Sequence, residues 1–118
     1  IIVDGDTVKA ALGGSTNFSW RGFFVQNNNA VLLRGENAIK PFQDAFAAYW
    51  ENENSAADFG ATDSAKFTEL KLEGIKAQVT FSPHANENVV LDKIAADVAE
   101  SKSSLFFSLA FLYQTPGA

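Results

Sequence analysis

The spacing of the large apolar residues changes at residue 36, and this change limits the fold more than any other feature of the sequence. From residue 36 to residue 52, apolar side chains recur three and four positions apart, which is the period of one face of a helix. The residues of this stripe are Ile39, Phe42, Phe46 and Trp50. Before residue 36 the apolar runs are short and β-branched, which is typical of strands. The sequence therefore predicts a domain that contains both strands and helices.

Further strands are predicted on both sides of this helix. Residues 1–12 form two β-branched runs around a short DGD sequence, which indicates a hairpin that turns at Gly5. Residues 23–35 are predicted to be extended, and the alternation of residues 67–81 indicates two more strands. Residues 105–113 are apolar on both faces, which suits a central strand covered by helices. We therefore predict an α/β fold with a mixed β-sheet flanked by helices, an α-β-α sandwich that is incomplete in this chain.

Two helices are predicted in detail. The helix within residues 36–52 contains Pro41, which is tolerated in a first turn, so this helix is predicted to begin near residues 37–40. Asn86 or Asn88 is predicted to cap a second helix. The buried stripe of the second helix is predicted to consist of Val90, Leu91, Ile94 and Val98.

Composition excludes several classes of protein. The 118 residues are enough for one domain, and the net charge of −5 argues against a protein that wraps nucleic acid. The chain has no cysteine and a single histidine, His84, which excludes disulfides, cysteine-ligated zinc and any site that needs two imidazoles from one copy. His84 itself is predicted to be an exposed loop residue. Neither a P-loop nor a G-x-S-x-G nucleophile elbow is present.

The polar stretch GGSTNFSWRG, residues 13–22, separates two runs of strand character. Glycines, hydroxyls and an amide are crowded into five positions, and aromatic residues follow them. One interpretation is a solvated turn, since these residues are the usual turn formers. The other is a loop that holds a ligand. The QNNN sequence at residues 26–29 is open to the same two interpretations.

The order of these segments resembles the second part of the HKD signature of the phospholipase D superfamily. That signature runs H-x-K, then D, then G-S-x-N. Here Asp4 matches the D, and Gly14, Ser15 and Asn17 match G-S-x-N. Asn29 stands where the family often carries an acidic residue. Residues 81–83, F-S-P, followed by a helix and an apolar run, look like the opening of a further repeat of the same family.

The resemblance implies a role for each matching residue. Asn17 would donate its amide to a phosphate oxygen, and Ser15 would either donate its hydroxyl or pin the loop. Asp4, the third residue of this catalytic set, would support the fold around the motif. Gly14 would allow the backbone to come close to the substrate, with Asn29 beside it. Arg21 is either a phosphate contact or a member of a surface salt bridge. The family mechanism passes through a phosphohistidine, and for most members it implies neither metal nor cofactor.

The resemblance also implies a domain organisation. The chain is a single phospholipase D-like unit over residues 1–118, in which residues 1–52 end one repeat and residues 67–118 begin the next. Residues 53–66 are acidic and poor in large apolar side chains, so they are predicted to be a linker between the two. The family's histidine and lysine would precede Ile1, and the chain contains no methionine. We therefore expect a piece of a longer protein, inactive by itself.

Three partners are predicted: a phosphodiester substrate, either phospholipid or nucleic acid; the remaining part of the parent chain; and a second copy in a homodimer, because an uncovered strand favours edge pairing. The alternative to a phosphodiesterase is a catalytically silent binding or scaffold protein of the same fold. Four aromatic residues beside the polar loop are predicted either to rim a lipid site or to lie in the core, with the core favoured. They are Phe18, Trp20, Phe23 and Phe24.

Overall fold

The computed structural model describes residues 2–4, 6–51, 55–86 and 88–106. This part of the chain contains five strands, four helices and a 3-10 turn, joined by short connections. In chain order the elements are β1 (Ile2–Asp4), β2 (Thr7–Gly14), α1 (Trp20–Phe24), β3 (Ala30–Arg34), α2 (Glu36–Glu51), α3 (Ala56–Ala61), a 3-10 turn (Asp63–Ala65), β4 (Thr68–Leu72), β5 (Ile75–Val79) and α4 (Val89–Ala99).

The strands form two small antiparallel sheets. One has the order β1-β2-β3, and the other pairs β4 with β5. The predicted combination of strands and helices is confirmed, and so is the hairpin at the start of the chain. Every pairing within the described residues is antiparallel, and the tight connections of β1 to β2 and of β4 to β5 permit only that arrangement for those two pairs. The mixed sheet that we predicted is therefore not present in this part.

The predicted central strand over residues 105–113 lies almost wholly outside the described residues. Leu105 and Phe106 are described, and neither belongs to a strand. Within the described ranges, no helix is long and apolar enough to cross a bilayer.

Helix α2 packs against both sheets, since it contacts β2, β3 and β4. Its buried residues are Ala38, Ile39 and Ala45, and Ala10 and Ala11 of β2 are buried as well. Small side chains on both elements allow a helix and a sheet to approach closely, and the resulting layer carries much of the described core. This packing fixes the position of β2, from which the polar loop extends.

The predicted stripe of α2 is only partly correct. Ile39 is buried, and Phe42 is half-buried and meets Phe81 edge to face at 5.2 Å between ring centroids. Phe46 and Trp50 are exposed instead, and their rings stack on each other at the surface. The helix turns the face that carries Ala38 and Ala45 toward the sheets. Phe46 and Trp50 lie outside this face, so their side chains point toward solvent.

Helix α2 also begins earlier than predicted. It starts at Glu36, because the Gly35 carbonyl accepts hydrogen bonds from the amides of Ala38 and Ile39. Pro41 consequently lies in the second turn rather than the first. The helix absorbs it at the cost of one hydrogen bond near its N-terminus, where the ladder is only beginning.

The described part of the predicted linker, residues 55–66, contains a short helix and a 3-10 turn. Ser55 caps α3 by accepting a hydrogen bond from the Asp58 amide at 3.0 Å, and Phe59 of this helix is only 1% exposed. The Phe59 ring stacks on Tyr49 of α2 at 4.1 Å between centroids. Burial of this ring attaches the short acidic segment to α2 and contributes about 1.5–3 kcal/mol toward the entropy cost of ordering it. The division into two repeats stays a prediction.

The second half follows the sequence pattern closely. The two predicted strands are β4 and β5. Asn88 occupies the N-cap position of α4, but its side chain makes no capping hydrogen bond; its backbone amide donates to the Asn86 side-chain oxygen at 3.2 Å. The predicted stripe of α4 is less buried than expected. Val90 and Leu91 are half-buried, whereas the later members, Ile94 and Val98, are exposed.

Ionisation of Tyr49 should destabilise the chain in alkaline solution. Partial burial raises the pKa of the Tyr49 phenol above its ordinary value of 10.0, and its hydroxyl donates a hydrogen bond to the Ser82 carbonyl oxygen. A pKa raised by folding gives stability that is complete below the ordinary pKa and is lost as the pH rises through the folded-state pKa. We expect wild type to lose stability relative to Tyr49→Phe as the pH rises above about 10, measured by urea unfolding. A difference that stays constant over this range would contradict the assignment.

Candidate functional site

The polar loop connects β2 to β3 and begins at Ser15, since β2 continues through Gly13 and Gly14. Its two ends are held together by a reciprocal pair of hydrogen bonds. The Ser15 amide donates to the Asn29 carbonyl oxygen at 3.0 Å, and the Asn29 amide donates to the Ser15 hydroxyl oxygen at 3.1 Å. The structure therefore brings Ser15 and Asn29 together, and it is the backbone of Asn29 that makes the contact.

A short helix, α1, occupies the middle of the loop, where the sequence predicted extended chain from residue 23. Ser19 is in extended conformation and caps this helix, because its hydroxyl accepts a hydrogen bond from the Gly22 amide at 3.1 Å. The Ser19 amide in turn donates to the Asn17 carbonyl oxygen at 2.8 Å. A serine at this position is a strong N-cap, and it outweighs the strand character of the aromatic residues that follow.

Gly22 is the point at which the loop is packed most tightly. It is the buried residue of α1, and a Cβ atom at this position would lie 2.0 Å from the Asn17 carbonyl oxygen. A Cβ atom at Gly14 would lie 2.5 Å from the Asn29 carbonyl oxygen. Both positions therefore accept only glycine without displacement of backbone. The close approach predicted at Gly14 occurs, but within the loop itself, and the sequence interpretation missed Gly22.

Asn28 links three parts of the loop. Its side chain lies 3.1 Å from the Ser15 hydroxyl oxygen and 2.8 Å from the Gly22 carbonyl oxygen. The residue is half-buried, whereas Asn27 and Asn29 on either side are exposed. The run of three asparagines was the only signal in the sequence for this role, and it does not distinguish among its members.

Asn17 and Arg21 present their side chains to solvent. Within the described residues, the Asn17 side-chain amide has no hydrogen-bond partner, although its backbone is fixed by Ser19 and Gly22. Arg21 forms no ion pair with any described residue, so the surface salt bridge weighed for it is not present there. Asn17 is therefore a free hydrogen-bond donor on a well-held turn, and Arg21 is an exposed charge four residues along.

Asp4 does not join this group. It pairs with Thr7 at the opposite end of β2 from Gly14. Seven residues of strand separate the two ends, which is about 23 Å at roughly 3.3 Å per residue. The Asp4 side chain is exposed at the hairpin. This position separates Asp4 from residues 14–17, and its place in the catalytic set stays a prediction.

An open cavity of about 640 Å³ lies beside the loop. Its lining includes Gly14, Thr16, Phe18, Gly22 and Asn28, but neither Ser15 nor Asn17. The cavity thus adjoins the predicted phosphate-holding residues without enclosing them.

The aromatic residues of the loop are on the surface, which corrects the prediction that they belong to the core. Phe18 is 93% exposed, and Trp20, Phe23 and Phe24 are exposed as well. They contact one another, with ring centroids 5.8 Å apart for Phe18 and Phe23. Helix α1 has five residues and turns Gly22 inward, so its large side chains have only the outer face available.

His84 is half-buried rather than exposed. Its Nδ1 lies 3.0 Å from the Ala65 carbonyl oxygen, and its Nε2 is buried without a partner among the described residues. A carbonyl oxygen can only accept, so Nδ1 carries the hydrogen. In the same part of the chain, no group of three or more His, Asp or Glu side chains is placed to hold a metal ion.

No family model, curated protein or solved structure matches this chain. A function for this chain is therefore inferred from the residues of the loop and from their geometry.

Proposed function

We propose that this chain is part of a phospholipase D-like phosphodiesterase, in which residues 14–17 hold the phosphate of a phosphodiester. In the mechanism that the resemblance implies, one histidine of the parent protein attacks phosphorus as the bond to the leaving oxygen breaks. A second histidine protonates that oxygen and then activates water or an alcohol, which attacks the phosphorus of the phosphohistidine as the P–N bond breaks, so that the product leaves and the first histidine is restored. The same resemblance carries the proposal that the two sheets belong to a larger α-β-α sandwich.

The observation that carries the proposal is the state of Asn17. Its side-chain amide has no partner among the described residues, while its carbonyl accepts a hydrogen bond from Ser19 and packs against Gly22. Because the backbone is already fixed, only the side-chain torsions have to be ordered when the amide binds an oxygen. Donors held near their target in this way are most effective where charge develops in a transition state, as on the non-bridging oxygens of a phosphoryl group. This supports Asn17 as the phosphate-binding residue of the G-S-x-N sequence.

The substrate is a phosphodiester of a phospholipid or of a nucleic acid. Arg21 is the single basic residue between residues 13 and 29, and the chain has a net charge of −5. This charge is unfavourable for a long polyanion, whose binding usually depends on several Lys or Arg contacts. The exposed aromatic residues are compatible with either a lipid surface or stacked bases.

Asn17→Ala should reduce the activity of the parent protein. The substrates to compare are phosphatidylcholine, bis-p-nitrophenyl phosphate and single-stranded DNA, which separate lipid from nucleic-acid activity. We expect kcat to fall by about 10²–10³-fold, the usual effect of removing one donor to a developing oxyanion. The matched control is Asn27→Ala, because Asn27 is an exposed asparagine without a side-chain partner in the described part.

Two results would contradict the proposal. One is full activity in Asn17→Ala. The other is measurable turnover by residues 1–118 alone that disappears with this substitution, since the proposal places the reacting histidines elsewhere in the parent. A parent gene without H-x-K upstream of Ile1 would indicate the silent scaffold instead.

A further inference from the structure

Asn28 occupies the centre of the loop's hydrogen bonds, although the G-S-x-N sequence does not include it. It joins Ser15, at the end of β2, to Gly22, inside α1. These two residues are in turn bonded to Asn29 and Ser19. A single side chain therefore ties both ends of the connection to its middle.

The chemistry of the partners fixes the direction of each hydrogen bond. The Gly22 carbonyl oxygen can only accept, so the Asn28 group that faces it at 2.8 Å must be the amide nitrogen, Nδ2. The amide oxygen of Asn28 then faces Ser15 at 3.1 Å. An amide oxygen only accepts, so the Ser15 hydroxyl must donate to it. The Asn29 amide donates to the same hydroxyl oxygen, which agrees with this direction.

Ser15 is consequently committed within the loop. Its one hydroxyl hydrogen is directed to Asn28, and its oxygen already accepts from Asn29. Of the two roles that the resemblance offers for Ser15, this arrangement favours pinning the loop over donation to a phosphate. The Asn17 amide has no hydrogen-bond partner among the described residues, so it stays available as a donor at the turn.

We propose that Asn28 is a positioning residue of the phosphate-holding loop. It acts through Ser15 and Gly22: the first fixes the turn that precedes Asn17, and the second packs directly against the Asn17 carbonyl oxygen. The role rests on the proposed function, because it concerns the site at which the phosphodiester binds. This role requires both polar atoms of the Asn28 side chain: the amide oxygen, which accepts from Ser15, and the amide nitrogen, which donates to Gly22.

Asn28→Asp separates these two ends. A carboxylate keeps the acceptor for Ser15, but it places a negative oxygen against the Gly22 carbonyl oxygen, which breaks that link. A protonated aspartic acid has the shape of asparagine, and its hydroxyl donates to Gly22 while its carbonyl accepts from Ser15. The variant should therefore fail near neutral pH and recover in acid. Asn27→Asp, one residue away on an exposed side chain, is the matched control.

The test uses residues 1–118 labelled with ¹⁵N and titrated with dimethyl phosphate, a diester that stays singly charged throughout. The shift of the Asn17 side-chain amide reports binding. At about pH 7 we expect Asn28→Asp and Asn28→Ala to bind about tenfold more weakly than wild type, which is the effect of one or two neutral hydrogen bonds. At about pH 3.5, below the ordinary aspartate pKa of about 3.9, Asn28→Asp should recover toward wild type measured at the same pH, whereas Asn28→Ala should not.

A second readout needs no ligand. The side-chain amide hydrogens of wild-type Asn28 should exchange with solvent more slowly than those of Asn27, because one of them is bonded to the Gly22 carbonyl. Equal exchange at the two asparagines would overturn the positioning role. So would wild-type affinity in Asn28→Asp at neutral pH, or a lack of recovery in acid. An Asn17 amide that does not respond to dimethyl phosphate in wild type would instead contradict the proposed function, and the exchange measurement would still decide the position of Asn28.

Discussion

Phe59→Ala should destabilise the chain by about 3–5 kcal/mol, the usual cost of removing a fully buried phenylalanine. Phe59 is the largest fully buried side chain among the described residues, and four of the seven buried apolar residues there are alanines. Its ring stacks on Tyr49 and so joins α3 to α2. Because domains of this size are only marginally stable, we expect the urea midpoint to fall steeply or the chain to be unfolded without urea, as followed by circular dichroism.

Phe18→Ala provides the control for Phe59→Ala. It removes the same side chain from a position that is 93% exposed, so its effect on the free energy of unfolding should stay within about 0.5 kcal/mol. An equal decrease in the free energy of unfolding in the two variants would mean that the decrease does not depend on the burial of the phenylalanine. An unchanged midpoint in Phe59→Ala would contradict the packing of residues 55–66 against α2.

Gly22→Ala should destabilise the loop even though alanine is the better helix former. Alanine in place of glycine normally stabilises a helix interior by about 1 kcal/mol. Here the added Cβ would lie 2.0 Å from the Asn17 carbonyl oxygen, and backbone must move to relieve the contact. Overpacking of this kind costs about 1–3 kcal/mol or more, so the contact outweighs the helix propensity. Urea unfolding measures the net effect, and the displaced Asn17 should also lose its response to dimethyl phosphate.

Gly13→Ala is the matched control for Gly22→Ala. Gly13 lies in β2, and a Cβ atom there would have no other atom within 4 Å. We expect a change within about 0.5 kcal/mol and a normal Asn17 response. If Gly22→Ala were more stable than wild type, helix propensity would outweigh the steric contact, which would contradict the close approach of the Asn17 carbonyl to Gly22.

The predictions that succeeded concern features contained within one short segment. The hairpin of β1 and β2, strands β4 and β5, and most of α2 follow from periodicity and turn residues near in sequence. The predictions that failed concern features that depend on the tertiary packing partner of each segment. Residues 46 and 50 of α2 share the helical period with Ile39, yet the alanine face is the one that approaches the sheets. The period shows that a helix has a face, but the packing partner decides which one is buried.

The candidate site shows the same division. The sequence by itself determined that a polar loop follows a strand near residues 13–17, because turn chemistry is local. The tertiary structure alone decided that Asp4 lies at the far end of β2 and that Asn28, among three adjacent asparagines, bonds to Ser15. That hydrogen bond joins residues 13 positions apart. Its formation depends on the pairing of β2 with β3 and on the path of α1 between them, and no local pattern specifies either one.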